Sequence, residues 1–193
     1  LSARLADDRE TAFTLATSKE SKGISKFATK AVMALLTRRG WDLSKLCISF
    51  MGFEGGKSHV ALQQRMVSEI VKRNGGFVVG KGPGVLYDQK KFDTPYIRDF
   101  LLDRGGTADV SETAAPWSKL KPLYDSVIAA VEGAFAEIDC QGYVMCHLSH
   151  NYHSGACLYF TFAFAYEGAD VEQKYDVVKR AVQSTFIASG GTL

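Results

Sequence analysis

The chain has 193 residues, 46% hydrophobic and 23% charged, which is ordinary for a globular protein and enough to build one domain with a packed core. A formal net charge of +2 gives no electrostatic case for nucleic acid or for an anionic membrane surface. No apolar run approaches the roughly 20 residues that cross a bilayer, and no signal peptide opens the chain.

Leu1 to Thr17 mixes acidic Asp7, Asp8 and Glu10 with a short apolar run and carries no clear period. After Ser21-Lys22-Gly23, the residues Ile24, Phe27, Ala31, Val32, Leu35 and Leu36 recur at helical spacing, so a helix ending near Gly40 is expected. Leu46 to Phe53 is apolar enough for an interior strand. Gly55-Gly56-Lys57-Ser58 stands between that strand and a helix, as a phosphate-binding loop would. The G-x-x-x-x-G-K-[ST] frame is absent, because Met51 occupies the place of its first glycine. A strand-to-helix turn with Ser58 as N-cap is the expectation. Val60 to Arg73 reads as a helix with Val60, Met66, Val67, Ile70 and Val71 toward the core, stopped by Asn74-Gly75-Gly76.

Phe77-Val78-Val79 reads as a short strand, and Gly80 to Gly84 as a glycine-rich loop without the G-x-G-x-x-G frame. Thr94-Pro95 caps a helix from Tyr96 to Asp103, on which Arg98 stands beside Asp99. A surface ion pair is the default for such neighbours, and a guanidinium clamp for phosphate or carboxylate is the functional alternative. Thr107 to Thr113 alternates like a strand. Pro116-Trp117 opens a long amphipathic helix with Leu120, Leu123, Val127, Ile128, Val131 and Phe135 inward. A last helix, Val171 to Ala188, turns Tyr175, Val178, Ala181, Val182 and Phe186 toward the sheet and ends at Ser189-Gly190-Gly191.

Between these two helices, Gly142 to Gly168 holds three of the four histidines and the densest aromatic run. Period-two alternation predicts a central β-hairpin, Tyr143 to Tyr152 pairing with a strand through Leu158, Phe160, Phe162 and Phe164, turned by His153-Ser154-Gly155. Strand alternation sends His147 and His150 to opposite faces and sets His150 on the face of Tyr152. No carboxylate or second cysteine stands at a spacing that would complete a zinc shell, so no metal site is expected. One face of the hairpin is a candidate pocket lining with Tyr152 at its rim, although aromatics are common in strands without function. Cys47, Cys140, Cys146 and Cys157 form no C-x-x-C motif and fit reduced, buried thiols of an intracellular protein. Five strands and about five helices without strict β-α alternation predict an α+β fold: an antiparallel sheet with helices mainly on one face, in a single domain. The chain begins with Leu and reads as a piece of a longer protein.

Several motifs occur together in order. Pro95-Tyr96-Ile97-Arg98-Asp99 is followed by Leu101-Leu102 and Gly105, then by Glu112-Thr113 with Pro116-Trp117. Cys146-His147, Ser149-His150 and Tyr152 lead into Gly155-Ala156-Cys157-Leu158-Tyr159-Phe160, and Gly190-Gly191-Thr192-Leu193 closes the set. This combination resembles the substrate (cap) domain of FAD-linked oxidases, a ferredoxin-like C-terminal domain. The branch it resembles most is the alkylglycerone-phosphate synthases of ether-lipid synthesis.

The resemblance implies a flavoenzyme whose FAD is bound mainly by a separate N-terminal domain absent from this chain. In that family the flavin takes part covalently while the acyl group of acyl-dihydroxyacetone phosphate is exchanged for a fatty alcohol, with no net redox change. It implies Tyr152 as the proton-transfer residue, Arg98 as the group holding an anionic part of the substrate, and His147 and His150 as substrate-binding neighbours. A phenol can relay a proton if positive charge tunes it. The partner implied is a small lipid-like phosphorylated substrate, without nucleic acid. Membrane-surface association and a homodimer of the full-length enzyme are compatible with it. So is a cytoplasmic location in a bacterium or a peroxisomal one in a eukaryote. The chain stops short of the histidine run that follows Gly190 to Leu193 in the family, so the fragment alone is expected to be inactive. His153 replaces an acidic residue of eukaryotic members. A dehydrogenase or oxidase of a 2-hydroxy acid or alcohol on the same fold, and a non-catalytic ligand-binding module, are the alternatives.

Overall fold

The computed structural model describes residues 2–17, 24–81 and 95–193, the side chains of 24–30 and 95–97 excepted. The alternating run folds as expected into a hairpin of β4 (Gly142–Asn151) and β5 (Gly155–Ala165). Its large side chains at Val144, Cys146, Phe160, Phe162 and Phe164 are buried on one face. β3 (Gly106–Pro116) pairs along the whole of β5, and β1 (Ser2–Ala6) joins β4 through Leu5 and Ala6. β2 (Ser49–Gly52) completes an antiparallel sheet of order β2-β1-β4-β5-β3. The hairpin is therefore interior, and the fold is the expected α+β arrangement.

The helices are α1 (Asp8–Thr17), α2 (Ile24–Arg38), α3 (Lys57–Arg73), α4 (Pro95–Leu102), α5 (Trp117–Glu137) and α6 (Val171–Ala188). α5 and α6 pack on each other and on one face of β3, β4 and β5. Their inward residues follow the 3.6-residue period: Leu120, Leu123, Val127, Ile128, Val131 and Phe135 from α5, and Val178, Val182 and Phe186 from α6. Phe160 stands at the centre, 5.7 Å from the Phe186 ring and 6.2 Å from Tyr124. α6 is also held to β3 by a polar knot, in which Lys179 Nζ donates to Asp109 at 2.6 Å, to the Val110 carbonyl at 2.8 Å and to Ser111 at 2.9 Å. Beyond α6, Thr192 lies along the outer edge of β3. Its N–H donates to the Ala114 carbonyl at 3.1 Å, its hydroxyl accepts from the Ala114 N–H at 3.2 Å, and its carbonyl accepts from Thr113.

Four expectations need correction. Phe77-Val78-Val79 forms no strand; the fifth strand is β1, from the segment that showed no period. The expected interior strand 46–53 shortens to β2 and sits at the sheet edge, because only β1 pairs with it. α3 begins at Lys57 with Gly56 as its N-cap, so Ser58 lies inside the first turn rather than capping it. No α3 residue is buried among the described ones: Val60, Val67 and Val71 are half-buried and Met66 and Ile70 are 53% and 48% exposed, so the stripe is not part of the core. Its expected stop holds: Gly75 has φ +77°, and the Asn74 and Gly76 N–H groups return to the Ile70 and Val71 carbonyls. The Ser21 to Gly23 start, the glycine-rich loop beyond Lys81 and Thr94 lie outside the described residues.

Gly155 sets how closely β3 and β5 approach, since a Cβ there would stand 2.1 Å from the Ala115 carbonyl oxygen. Gly155→Ala is therefore expected to destabilise by about 2–3 kcal/mol or more, because backbone must shift. Gly133 in α5 has open space around it. Gly133→Ala is expected to stabilise by about 0.5–1 kcal/mol through helix propensity. Urea unfolding of the two variants against the parent checks both signs.

Candidate functional site on the open face of the sheet

Pairing between β4 and β5 is regular from Gly142↔Phe164 to Leu148↔Leu158, then resumes at His150↔Cys157. Ser149 is the extra residue, a β-bulge. Up to Leu148, the even-numbered residues of β4 face the helices. Beyond the bulge the parity reverses, and His150 joins His147 on the face away from α5 and α6. The expectation that the two histidines point to opposite sides is thereby overturned, because a bulge cannot be seen in a period-two pattern.

On this open face, Glu112, Tyr159 and His147 lie side by side across β3, β5 and β4. His147 is buried and stacks on Tyr159 with ring centroids 4.7 Å apart. Its Nδ1 is 3.0 Å from Glu10 Oε2. A carboxylate only accepts, so Nδ1 carries the proton in this bond. Arg4 binds the other oxygen of Glu10, and its guanidinium lies 3.1 Å from the His147 ring nitrogen. Burial alone would raise the Glu10 carboxyl; the hydrogen bonds and positive charge of His147 and Arg4 outweigh it and hold the group below its usual 4.5. Neighbouring Asp7 behaves oppositely. Burial pushes it above the usual carboxylate range although Tyr124 and the Cys146 and Glu10 N–H groups donate to it.

Further along the same face, His150 Nδ1 is 3.6 Å from Glu112 Oε1, Ser149 Oγ donates to the same carboxylate, and Cys157 stands opposite His150. The turn follows at once. Tyr152 is fixed through its backbone: its N–H donates to the Gly155 carbonyl at 2.9 Å, and Trp117 Nε1 donates to its carbonyl at 3.0 Å. Its side chain is 60% exposed, and its phenol has no hydrogen-bond partner among the described residues. Tyr152 thus stands exposed just past the end of β4, and neither histidine touches it among the described residues.

Arg98 is not part of this assembly. It sits on α4, exposed, and its Nε and Nη2 lie 3.3 and 3.2 Å from Oδ1 of its own neighbour Asp99. No contact among the described residues joins it to Tyr152, His147 or His150. Sequence reasoning missed Arg4, Glu10 and Glu112, which reach the histidines from other elements. Strand alternation in Thr107 to Thr113 was the available signal for Glu112. The face offers half-buried Met145, Thr161 and Ala163 beside its polar row.

Comparison with known proteins agrees with this architecture. The family described as FAD linked oxidases, C-terminal domain, matches residues 1–193. An alkyldihydroxyacetonephosphate synthase of Dictyostelium discoideum is 33% identical over 192 residues, covering 98% of this chain and 31% of that protein. That of Trypanosoma brucei brucei is 34% identical over 160 residues, covering 82% of this chain and 26% of that protein. Two solved structures of alkyldihydroxyacetonephosphate synthase, in different crystal forms, superpose with TM-scores of 0.87 and 0.81 at 31% and 30% identity. They cover 99% and 98% of this chain and 35% and 34% of those chains. The chain thus spans about a third of the length of the proteins it matches.

Removing the Glu10 charge tests the geometry directly. A carboxyl held below its unfolded value stabilises above that value, and the contribution fades as pH falls through the folded pKa. At about pH 7, Glu10→Gln is expected to destabilise by roughly 1–3 kcal/mol, since buried His147 and half-buried Arg4 lose a charged partner and one of its two acceptor oxygens becomes a donor. The gap between variant and parent should narrow as pH drops below 4.5. Urea unfolding across that range reads it.

Proposed function

We propose that this chain, which belongs to the FAD-linked oxidases as their C-terminal domain, is the substrate-side (cap) domain of an alkyldihydroxyacetonephosphate synthase-type enzyme. In such an enzyme the acyl group of an acyl-dihydroxyacetone phosphate is exchanged for a fatty alcohol. The supporting observation is the likeness to that enzyme along nearly the whole chain, at 33% identity over 192 residues and a TM-score of 0.87. The FAD-binding domain belongs to the remainder of the full-length polypeptide.

FAD, when bound there, supplies an electron sink at the carbon that exchanges its substituent. This chain's part is to cover the substrate and to move a proton. Tyr152 is the proton-transfer residue: its backbone is fixed on both sides by Gly155 and Trp117, and its exposed phenol is open to a substrate oxygen. His147, oriented by Glu10, and His150 beyond it lie on the same face. Both suit polar parts of the substrate. Arg98 can act as an anion clamp only by exchanging its neighbour Asp99 for a phosphate, a step a planar guanidinium favours. A lipid-like substrate also implies contact with a membrane surface in passing. Among the described residues no helix is long and apolar enough to cross a membrane.

Two measurements on the full-length protein test this function. The purified protein should show a bound-flavin absorption spectrum and catalyse acyl-for-alkyl exchange without consuming an electron acceptor; acceptor reduction by a 2-hydroxy acid would instead make it a dehydrogenase of the same family. Tyr152→Phe should keep the flavin spectrum and lower the exchange rate by about 100-fold or more. Undiminished exchange in that variant would remove Tyr152 from the chemistry.

A further inference from the structure

We propose that Glu112, His150 and Cys157 form a three-ligand site for a zinc-class divalent cation on the open face of the sheet. A carboxylate oxygen, an imidazole nitrogen and the Cys157 sulfur all lie within 4.8 Å of one another. His150 Nδ1 and Glu112 Oε1 are already 3.6 Å apart. Zinc bonds of about 2.0–2.3 Å put the ligand atoms of a tetrahedral site roughly 3.3–3.8 Å from one another. The His150–Glu112 pair already falls in that range, and all three atoms lie within 4.8 Å of one another.

The three ligands come from three adjacent strands whose register is fixed: Glu112 opposite Tyr159, and Cys157 opposite His150. Spacing along the chain could not reveal the site, because the carboxylate arrives from β3. The Ser149 bulge is what assembles it; regular pairing would place His150 opposite Ala156, on the helix side. Ser149 also donates its hydroxyl to Glu112, as an outer hydrogen bond that orients a metal-binding carboxylate.

A mixed oxygen, nitrogen and sulfur set suits zinc and excludes magnesium and calcium, which take oxygen ligands. Glu112 and His150 are exposed, so a cation enters from solvent without displacing the fold. A cation bound there displaces the Cys157 thiol proton to solvent. Three protein ligands leave a fourth position for water or for a phosphate or carboxylate oxygen. The site stands on its own geometry, whatever reaction the full-length protein carries out.

The test is zinc titration of the metal-free full-length protein by calorimetry, with zinc-edge X-ray absorption on the loaded sample, neither of which a flavin obscures. One zinc per chain is expected, with a sulfur at about 2.3 Å. Cys157→Ala should remove the sulfur shell, and His150→Gln, at an exposed position that should not disturb folding, should weaken binding about tenfold or more. Circular dichroism verifies that both variants are folded. Absence of stoichiometric zinc, a zinc shell without sulfur, or parent-like binding by folded His150→Gln would each overturn the site.

Discussion

Leu148 faces Leu158, His150 faces Cys157, and Ser149 between them has no opposite residue. Which face each residue of β4 takes follows from that one insertion. Before it, β4 gives Val144 and Cys146 to the core under α5 and α6. After it, the strand gives His150 to the open face and leads into the turn that holds Tyr152. Bulges bend and twist a strand as well as shifting its parity. Here the shift separates a stretch of β4 that packs from a stretch that presents chemistry. Ser149, unpaired in the ladder, finds its hydrogen bond on Glu112 instead.

Polar groups are buried on both sides of this sheet, and each side resolves the burial differently. On the helix side, Asp109 takes Lys179 and Tyr175, which bring its carboxyl below the usual range against the effect of burial. That knot ties α6 to β3. On the open side, Glu10 is shared by Arg4 and His147, so α1 fixes a histidine more than a hundred residues away in the chain. A ring oriented by a carboxylate on one nitrogen keeps the other nitrogen aimed in a fixed direction. The first cluster serves architecture, whereas the second orders a face that is otherwise open.

Legibility in the sequence followed burial. The hairpin, α5 and α6 could be read because their periodic residues, from Leu120 to Phe135 and from Val178 to Phe186, are the core itself. β1 escaped because five residues, Ser2–Ala6, at a partly covered position carry no decisive pattern. β2 was apolar but belongs to an edge, where pairing rather than burial defines it. α3 shows that an apolar stripe marks a helix without saying what it lies against. In the site, Tyr152, His147 and His150 were visible as residue types near a turn. Glu10, Arg4 and Glu112 were not, because their roles arise from contacts between elements far apart in sequence.

The short segment at Thr192 has a consequence for behaviour in solution. β3 is the outermost strand on its side of the sheet and pairs over eleven residues with β5 alone. A strand of that length with a free outer edge is a template for another chain. Thr192 occupies the edge at Ala114 with both its backbone and its hydroxyl. It thereby closes the edge near the Pro116 end, where proline already withholds a donor. A threonine that contributes little to the core thus acts as a guard against edge-to-edge pairing at this end of β3.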